Sequence, residues 1–243
     1  MNLTIDIGNS TIKTIVFNDT IPMYRNISES LASINLSRIV TRFKIRHSIY
    51  SSVVSLNKAE LKQLKNLPNG EMLSHTTIIP IKNRYKTPET LGNDRLANVI
   101  AASFLFPKKN VLVIDMGTCI KYDFLNSRNE YLGGGISPGL EMRFRALHEF
   151  TGKLPLITDY EKVNLIGSST REAMKSGVME GITQELNGNI KSYKKRFPSI
   201  KVILTGGDAQ RFVSELNLSI FAAENLVNIG LNEIIRFHQR STF

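Results

Sequence analysis

The chain has 243 residues, of which 42% are hydrophobic, and its basic side chains outnumber the acidic ones to give a net charge of +10. This length suits one large domain or two smaller ones. No apolar run approaches the roughly 20 residues that a membrane helix needs. The positive charge favours anionic partners, either a phosphorylated small molecule or a nucleic acid. No nucleic-acid-binding motif is present, so we expect no nucleic-acid partner.

The sequence also favours a cytoplasmic protein. Its single cysteine, Cys119, cannot form an internal disulfide and fits a reducing compartment. The first residues enter a strand at once, which leaves no room for a signal peptide. The four histidines lack the spacing of metal ligands.

The first predicted element is a hairpin over Leu3–Phe17, with alternating apolar residues, a polar turn and a second β-branched run. Gly8 and Asn9 tolerate positive φ and are typical of a tight turn. Asp6 therefore ends a buried strand beside hydroxyls and backbone N–H groups. Such a turn can cradle phosphate oxygens, while the carboxylate holds their cation through water.

The next elements predict a mixed sheet with helices on its faces. A third strand can lie within 18–27, and residues 31–39 are weakly helical. Strands are expected over Ser48–Val54 and Ser74–Ile81, with a helix over Asn57–Leu67 between them. An irregular loop, 82–94, then leads into a helix over Arg95–Phe106.

Asp94 stands at the start of that helix. An aspartate there can serve as a cap or as part of a functional site, and spacing alone leaves both interpretations open.

A second copy of the hairpin covers Val111–Leu125, where Asp115 and Gly117 repeat Asp6 and Gly8 after 109 residues. Two copies at this spacing predict a duplicated fold with a nucleotide in the cleft between its halves. Further along, Pro138 is expected at the first position of a helix. Other expected elements are a helix capped by Ser169 and Glu172 and ending near Arg196, a strand over Lys201–Leu204 with a Thr-Gly-Gly-Asp turn, and a last helix over 224–238.

Seven motifs in this order resemble the type III pantothenate kinases, a family of the actin/sugar-kinase/heat-shock ATPase superfamily. They are Asp6-Ile-Gly-Asn-Ser10, Tyr85–Arg95, Asp115-Met-Gly-Thr118, Gly133–Gly139, Thr151–Pro155, Ser169-Thr170 with Ser176-Gly177, and Thr205–Ala209. The resemblance implies an α/β protein with a duplicated actin-like (ribonuclease H-like) ATPase fold. Its two mixed-sheet halves, 1–107 and 108–243, would be flanked by helices. The Walker A motif of P-loop kinases is absent.

The resemblance also implies ATP-dependent phosphorylation of pantothenate to 4'-phosphopantothenate, the first step of coenzyme A synthesis, by a homodimer. Asp94 would be the catalytic base and Asp115 would bind a monovalent cation, potassium or ammonium. A divalent cation, magnesium, would accompany ATP. The ATP-binding residues would be Asp6, Ile7, Gly8, Asn9, Ser10, Thr11, Ile12, Lys13 and Thr118. The pantothenate-binding residues would be Tyr85, Gly92, Asn93, Asp94, Arg95 and, across the dimer, Thr170.

Two positions depart from the family pattern. Lys121 stands where a threonine is usual, and it can either contact a phosphate or replace a hydroxyl on the outer face of the hairpin. Cys119 stands where alanine is usual, and it is expected to be a small buried residue.

Two other functions remain to be tested. One is a non-catalytic regulatory or nucleic-acid-binding relative on the same fold. The other is a serine hydrolase that uses Ser137 in a Gly-x-Ser-x-Gly match. Pro138 argues against the hydrolase because it has no N–H for an oxyanion hole.

Overall fold

The computed structural model describes residues 1–161, 163–216 and 221–241. Short 3₁₀ turns cover Leu31–Ser33, Pro88–Thr90 and Val213–Glu215. The strands are β1 (Asn2–Ile7), β2 (Ile12–Asn18), β3 (Ile21–Ser28), β4 (His47–Ser52), β5 (Gly70–Met72), β6 (Lys82–Asn83), β7 (Val111–Met116), β8 (Cys119–Leu125), β9 (Glu130–Pro138), β10 (Lys201–Thr205) and β11 (Phe221–Ala222). The helices are α1 (Leu36–Phe43), α2 (Lys58–Lys65), α3 (Asn93–Leu105), α4 (Leu140–Glu149), α5 (Thr170–Arg196), α6 (Ala209–Phe212) and α7 (Leu226–Ser241).

The chain divides into two compact units that do not follow sequence order. Unit 1 contains Met1–Lys108, Leu125–Gly133 and the segment that begins at Asn225. Unit 2 contains Lys109–Phe124 and Gly134–Glu224. The expected halves, 1–107 and 108–243, stay a prediction. Two later segments, Leu125–Gly133 and the one that begins at Asn225, belong to unit 1.

Unit 1 is built on a five-stranded sheet in the order β3-β2-β1-β4-β5. The central strand β1 pairs antiparallel with β2 and parallel with β4. Leu3 and Ile5 are fully buried, because they belong to a hydrophobic core cluster that includes Leu36 and Ile39 of α1. The predicted third strand is confirmed as β3, and α2 begins with a complete capping box between Asn57 and Glu60.

The C-terminal helix α7 joins unit 1 through buried polar and close backbone contacts. Asn228 Nδ2 donates to Thr4 Oγ1 (3.0 Å) and to the Lys13 carbonyl (3.1 Å). Gly230 faces α3, and a Cβ added there would lie 1.9 Å from the Ala97 carbonyl oxygen. Packing at this distance requires glycine, so residues far apart in sequence fix α7 on the sheet and on α3.

Unit 2 contains the strands β11-β10-β7-β8 and the later part of β9 in one sheet. All residues of β7 are buried, and β10 runs parallel to it. The long helix α5 supplies much of the core through Ile182, Leu186 and Ile190, none of which is exposed. These residues recur every four positions and form the core face of α5.

Two predicted elements are wrong. Residues Ser74–Ile81 form no strand, because the Ser74 amide donates to Thr77 Oγ1 (3.1 Å) and the Thr77 amide donates to the Ser74 carbonyl (3.1 Å), which closes a turn. The short strand β5 lies earlier. Pro138 ends β9 and does not begin α4, whose N-cap is Gly139.

Within the described part of the chain, no helix combines the length and the hydropathy that crossing a membrane requires.

We predict opposite effects on stability for two Gly→Ala substitutions in helices. Gly230→Ala should lower the free energy of unfolding by about 1–3 kcal/mol, because the new methyl group overlaps the backbone of α3. Gly188→Ala on the exposed face of α5 meets no atom within 4 Å and should raise it by roughly 0.5–1 kcal/mol through helix propensity. Urea denaturation measures both values. A neutral Gly230→Ala would contradict the close packing of α7 on α3.

Candidate active site

The first hairpin places a carboxylate at the end of the central strand of unit 1. Asp6 lies opposite Lys13 on β2 and is in parallel register with Ser51 on β4. The Ser51 hydroxyl donates to Asp6 Oδ1 (3.1 Å). Cross-strand partners point to the same face of a sheet, so the carboxylate, the lysine and the serine hydroxyl share one face. This group of side chains suits a phosphate–magnesium pair, since magnesium binds to one or two carboxylates together with phosphate oxygens.

The turn of this hairpin is tight, but for a different reason from the one predicted. Neither Gly8 nor Asn9 is among the described residues with positive φ. The Gly8 amide donates to the Thr11 carbonyl (3.0 Å), and a Cβ on Gly8 would lie 3.1 Å from that oxygen. Asn9, Ser10 and Thr11 are exposed at the tip. Their polar groups can therefore meet a phosphate.

A second group of predicted site residues comes together around Tyr85 in unit 1. The Arg95 guanidinium lies 5.4 Å from the centre of the Tyr85 ring, and its Nη1 is 3.5 Å from the Tyr85 hydroxyl. Tyr85 also stacks on Tyr131, with ring centres 5.9 Å apart. Gly133, at φ +98°, lets the ring approach, since a Cβ there would be 3.2 Å from it. These contacts hold Arg95 as a fixed cation.

Asp94 lies in the first turn of α3, beside Arg95. The N-cap position is Gly92, so Asp94 is not the N-cap that one interpretation of the sequence proposed. Asp94 Oδ1 accepts a hydrogen bond from the Arg95 amide (2.9 Å). The positive end of the helix dipole favours a carboxylate at this position. The structure thus brings five of the predicted pantothenate-binding residues into one loop and helix start: Tyr85, Gly92, Asn93, Asp94 and Arg95.

The second hairpin repeats the first in unit 2. Asp115 ends β7 and is in parallel register with Thr205 on β10. Lys121 Nζ lies 2.9 Å from Asp115 Oδ2, and the two side chains are only 17% and 12% exposed. A carboxylate with this ammonium partner does not fit a free monovalent cation, which would need the same carboxylate oxygens. That Asp115 binds potassium or ammonium therefore stays a prediction of the resemblance, and this contact argues against it.

Backbone packing fixes the turn that carries Thr118. The Gly139 amide donates to the Thr118 carbonyl (3.1 Å), and a Cβ on Gly139 would lie 2.2 Å from the Gly117 oxygen. Gly206 has φ +98° and lies equally close to the Met116 carbonyl oxygen. Both glycines come from predicted Gly-rich turns. Neither was among the predicted site residues, because which backbone they approach depends on the tertiary structure.

The glycine-rich segment is also held by a side-chain network around Glu185 on α5. Glu185 Oε1 accepts from the Ser137 hydroxyl (2.5 Å) and from the Tyr122 hydroxyl (2.8 Å), and its other oxygen pairs with Arg143. Burial raises the pKa of Glu185, but these hydrogen bonds outweigh burial and the net pKa is lowered. Burial and the bond to Glu185 raise the pKa of Tyr122. Glu185 was missed because it lies 48 residues from Ser137.

This network leaves no support for a hydrolase. The Ser137 hydroxyl donates a hydrogen bond to the Glu185 carboxylate. His238, which follows Ser137 in the chain as the base of such a hydrolase would, contacts the Ile78 carbonyl (2.7 Å). Ser137 also lies within β9 and not on a turn between strand and helix.

Thr170, the predicted residue of the shared site, begins α5 in unit 2. It lines an apolar groove of about 880 Å³ between α4 and α5, together with Leu147, Phe150 and Gly177. Phe150 is 85% exposed. Gly177 was expected to admit a close neighbour, yet a Cβ there would meet no atom of the described chain within 4 Å.

The fold belongs to the actin-like sugar kinases. A glucokinase from an Antarctic psychrotroph superimposes with a TM-score of 0.56 at 11% identity and covers 97% of this chain and 98% of its own. A Campylobacter jejuni protein described provisionally as a Baf family transcriptional activator superimposes at 0.63 with 21% identity, covering 98% and 99%. At these identities the likeness shows the fold alone, so it does not favour a regulatory function.

The sequence comparisons identify the family. The model of the family "Type III pantothenate kinase" matches residues 2–192. A type III pantothenate kinase of Christiangramia forsetii is 45% identical over 241 residues, which cover 98% of this chain and 99% of that protein. The chain belongs to the type III pantothenate kinase family, as its motifs predicted.

We predict that Glu185→Gln lowers the free energy of unfolding by about 1–3 kcal/mol at neutral pH, because three donors lose a charged acceptor. The folded-state pKa of Glu185 lies below the ordinary 4.5, so this stabilisation is present above pH 4.5. It is lost as the pH falls through the folded-state value. Denaturation between neutral and acid pH measures the difference, with Glu180→Gln on α5 as control. A difference that persisted below about pH 2 would contradict the charged network.

Proposed function

We propose that this chain transfers the γ-phosphoryl group of ATP to the hydroxyl of pantothenate, giving 4'-phosphopantothenate in coenzyme A biosynthesis. The family match over nearly the whole chain identifies the activity. The observation that carries the proposal in the structure is Asp94, a carboxylate in the first turn of α3 beside Arg95 and Tyr85.

The first hairpin supports the nucleotide part of the proposal. Residues Asp6–Lys13 bind the ATP phosphates, with Asp6 near the magnesium ion. Lys13 is the cross-strand partner of Asp6. No group of three or more metal-binding side chains gathers in the described ranges. A magnesium ion bound with ATP takes most of its ligands from phosphates and water. Thr118, on the second hairpin turn, contacts ATP.

The Tyr85 cluster supports recognition of the acceptor. Pantothenate carries a carboxylate, and the guanidinium of Arg95 can pair with it through two parallel hydrogen bonds. Arg95 is only 4% exposed and lies against Tyr85, so its orientation is fixed before the substrate arrives. Gly92 and Asn93 bring the start of α3 close to the substrate.

Asp94 acts as the base. The transition state of phosphoryl transfer is loose, so the alcohol loses its proton late and a carboxylate is basic enough to accept it. Its position in the first turn of α3 and the hydrogen bond from the Arg95 amide orient the carboxylate.

The groove on unit 2 supports a homodimer in which Thr170 contacts the partner's pantothenate. Phe150, Leu165 and Ile166 are 73–85% exposed, which is unusual for large apolar side chains on a protein surface. The open space above Gly177 also suits a second copy of this chain.

Two further expectations stay predictions. A cytoplasmic location rests on the single cysteine, Cys119, which fits a reducing compartment. Potassium or ammonium dependence rests on the resemblance, and no step above requires either ion.

We predict that Asp94→Asn lowers kcat by roughly 10²- to 10⁴-fold, because the base is lost. The amide oxygen still accepts from the Arg95 amide, so the melting temperature should stay the same. A coupled assay of ADP release, with pantothenate added and omitted, measures the effect. Glu89→Gln is the matched control, an exposed acid on the same loop. Near-normal turnover of Asp94→Asn would exclude Asp94 as the base.

We predict that Phe150→Glu converts a dimer to a monomer, because a charge would be buried in the apolar interface. Light scattering after size exclusion measures the mass. Ile78→Glu changes an equally apolar residue, 73% exposed on unit 1, and should leave the dimer intact. A dimeric Phe150→Glu variant would place the interface elsewhere.

A further inference from the structure

The contact between Lys121 and Asp115 is a mostly buried ion pair at a position where the sequence predicted a bound ion. Lys121 Nζ lies 2.9 Å from Asp115 Oδ2, and Lys121 keeps only 17% of its side-chain exposure. Lys121 lies on β8, next to β7, and Asp115 lies at the end of β7. The ammonium group is therefore held on the carboxylate by the hairpin itself.

The first hairpin differs at the corresponding acid. Asp6 has Lys13 as its antiparallel register partner and accepts a hydrogen bond from the Ser51 hydroxyl of the parallel strand (3.1 Å). Asp115 also has a hydroxyl residue, Thr205, in parallel register, but a lysine ammonium lies directly on its carboxylate. The close ion pair with Lys121 is therefore a feature of the second hairpin, and its low exposure distinguishes it from a solvated surface pair.

We propose that the Lys121 ammonium group is a built-in replacement for a free monovalent cation at Asp115, so this enzyme does not depend on potassium or ammonium ions. The part of this inference that concerns catalysis rests on the proposed function. The occupation of the Asp115 carboxylate by Lys121 does not depend on the proposed function.

The physical argument compares an ion with a tethered group of the same charge. A lysine side chain ends in an alkylated ammonium ion with one positive charge and up to three N–H donors. It is attached to β8, so it is present at high effective concentration without being taken from solution. A free cation would have to displace it, leaving a buried ammonium without its carboxylate, which is unfavourable.

Removing the ammonium should restore the need for an ion. Lys121→Thr leaves the Asp115 carboxylate without its cation and opens space lined by carboxylate and hydroxyl oxygens, which are suitable ligands for a hard cation. Lys121→Met also removes the charge but keeps most of the side-chain bulk, so an ion cannot enter as readily. Comparing the two variants distinguishes the effect of losing the lysine charge from the effect of gaining an ion-binding site.

The test measures melting temperature and pantothenate-dependent ADP release in potassium chloride and in tetramethylammonium chloride of equal ionic strength. Wild type should give the same values in both salts. Lys121→Thr should melt higher in potassium, because an ion that binds only the folded state stabilises it. Its kcat/KM should rise by roughly 5- to 150-fold in potassium, the usual range for coupling between two ligands. Lys201→Thr, an exposed lysine of β10, is the control and should behave as wild type.

Two results would overturn the inference. One is a wild-type enzyme whose melting temperature or activity rises selectively in potassium. The other is a Lys121→Thr variant that shows no potassium response while Lys121→Met does. If no variant, including wild type, phosphorylates pantothenate in either salt, the proposed function fails. The melting temperatures alone still decide whether Lys121 takes the place of the ion.

Discussion

Both candidate phosphate sites are built around a carboxylate at the end of a buried central strand. Removing a charge from water costs several kcal/mol unless other groups compensate. At Asp6 the compensation includes the Ser51 hydroxyl, with Lys13 opposite, and at Asp115 it includes the Lys121 ammonium. These groups come from the hairpin partner and from the parallel strand. The two sheets therefore repeat a local topology as well as a sequence motif.

The turns beside these acids are positioned by backbone contacts and not by large side chains. Gly139 and Gly206 approach the backbone of Met116–Thr118 so closely that a methyl group would overlap it. Glu185 then holds the glycine-rich segment through Ser137 and Arg143. Backbone support of this kind fixes the position of the turn that carries Thr118. The Gly-x-Ser-x-Gly match therefore has a structural explanation, because Ser137 bonds to Glu185 and Gly139 packs against the turn.

The proposed acceptor site uses a different principle, in which aromatic contacts fix a cation. Tyr85 contacts both Tyr131 and Arg95, and Gly133 provides the space. This arrangement orders the Arg95 guanidinium in advance. Without it, the side chain would lose rotational freedom about several bonds on binding a carboxylate. Asp94 gains its orientation from the start of α3. Positioning of this kind accounts for most of what a phosphoryl-transfer enzyme has to supply.

The sequence by itself determined the two acidic hairpins, the helices α2 and α5, the place of Asp94 at a helix start, and the family. These features depend on residues close together in the chain, where periodicity, capping and turn chemistry act directly. Only the tertiary structure decided that Ser74–Ile81 forms a turn, that α7 returns to unit 1, and that Ser51 and Thr205 are in register with the two aspartates. It also placed Lys121 on Asp115. The register of β1 with β4 and of β7 with β10, like the return of α7, joins segments tens to hundreds of residues apart, and no local pattern encodes which of them meet.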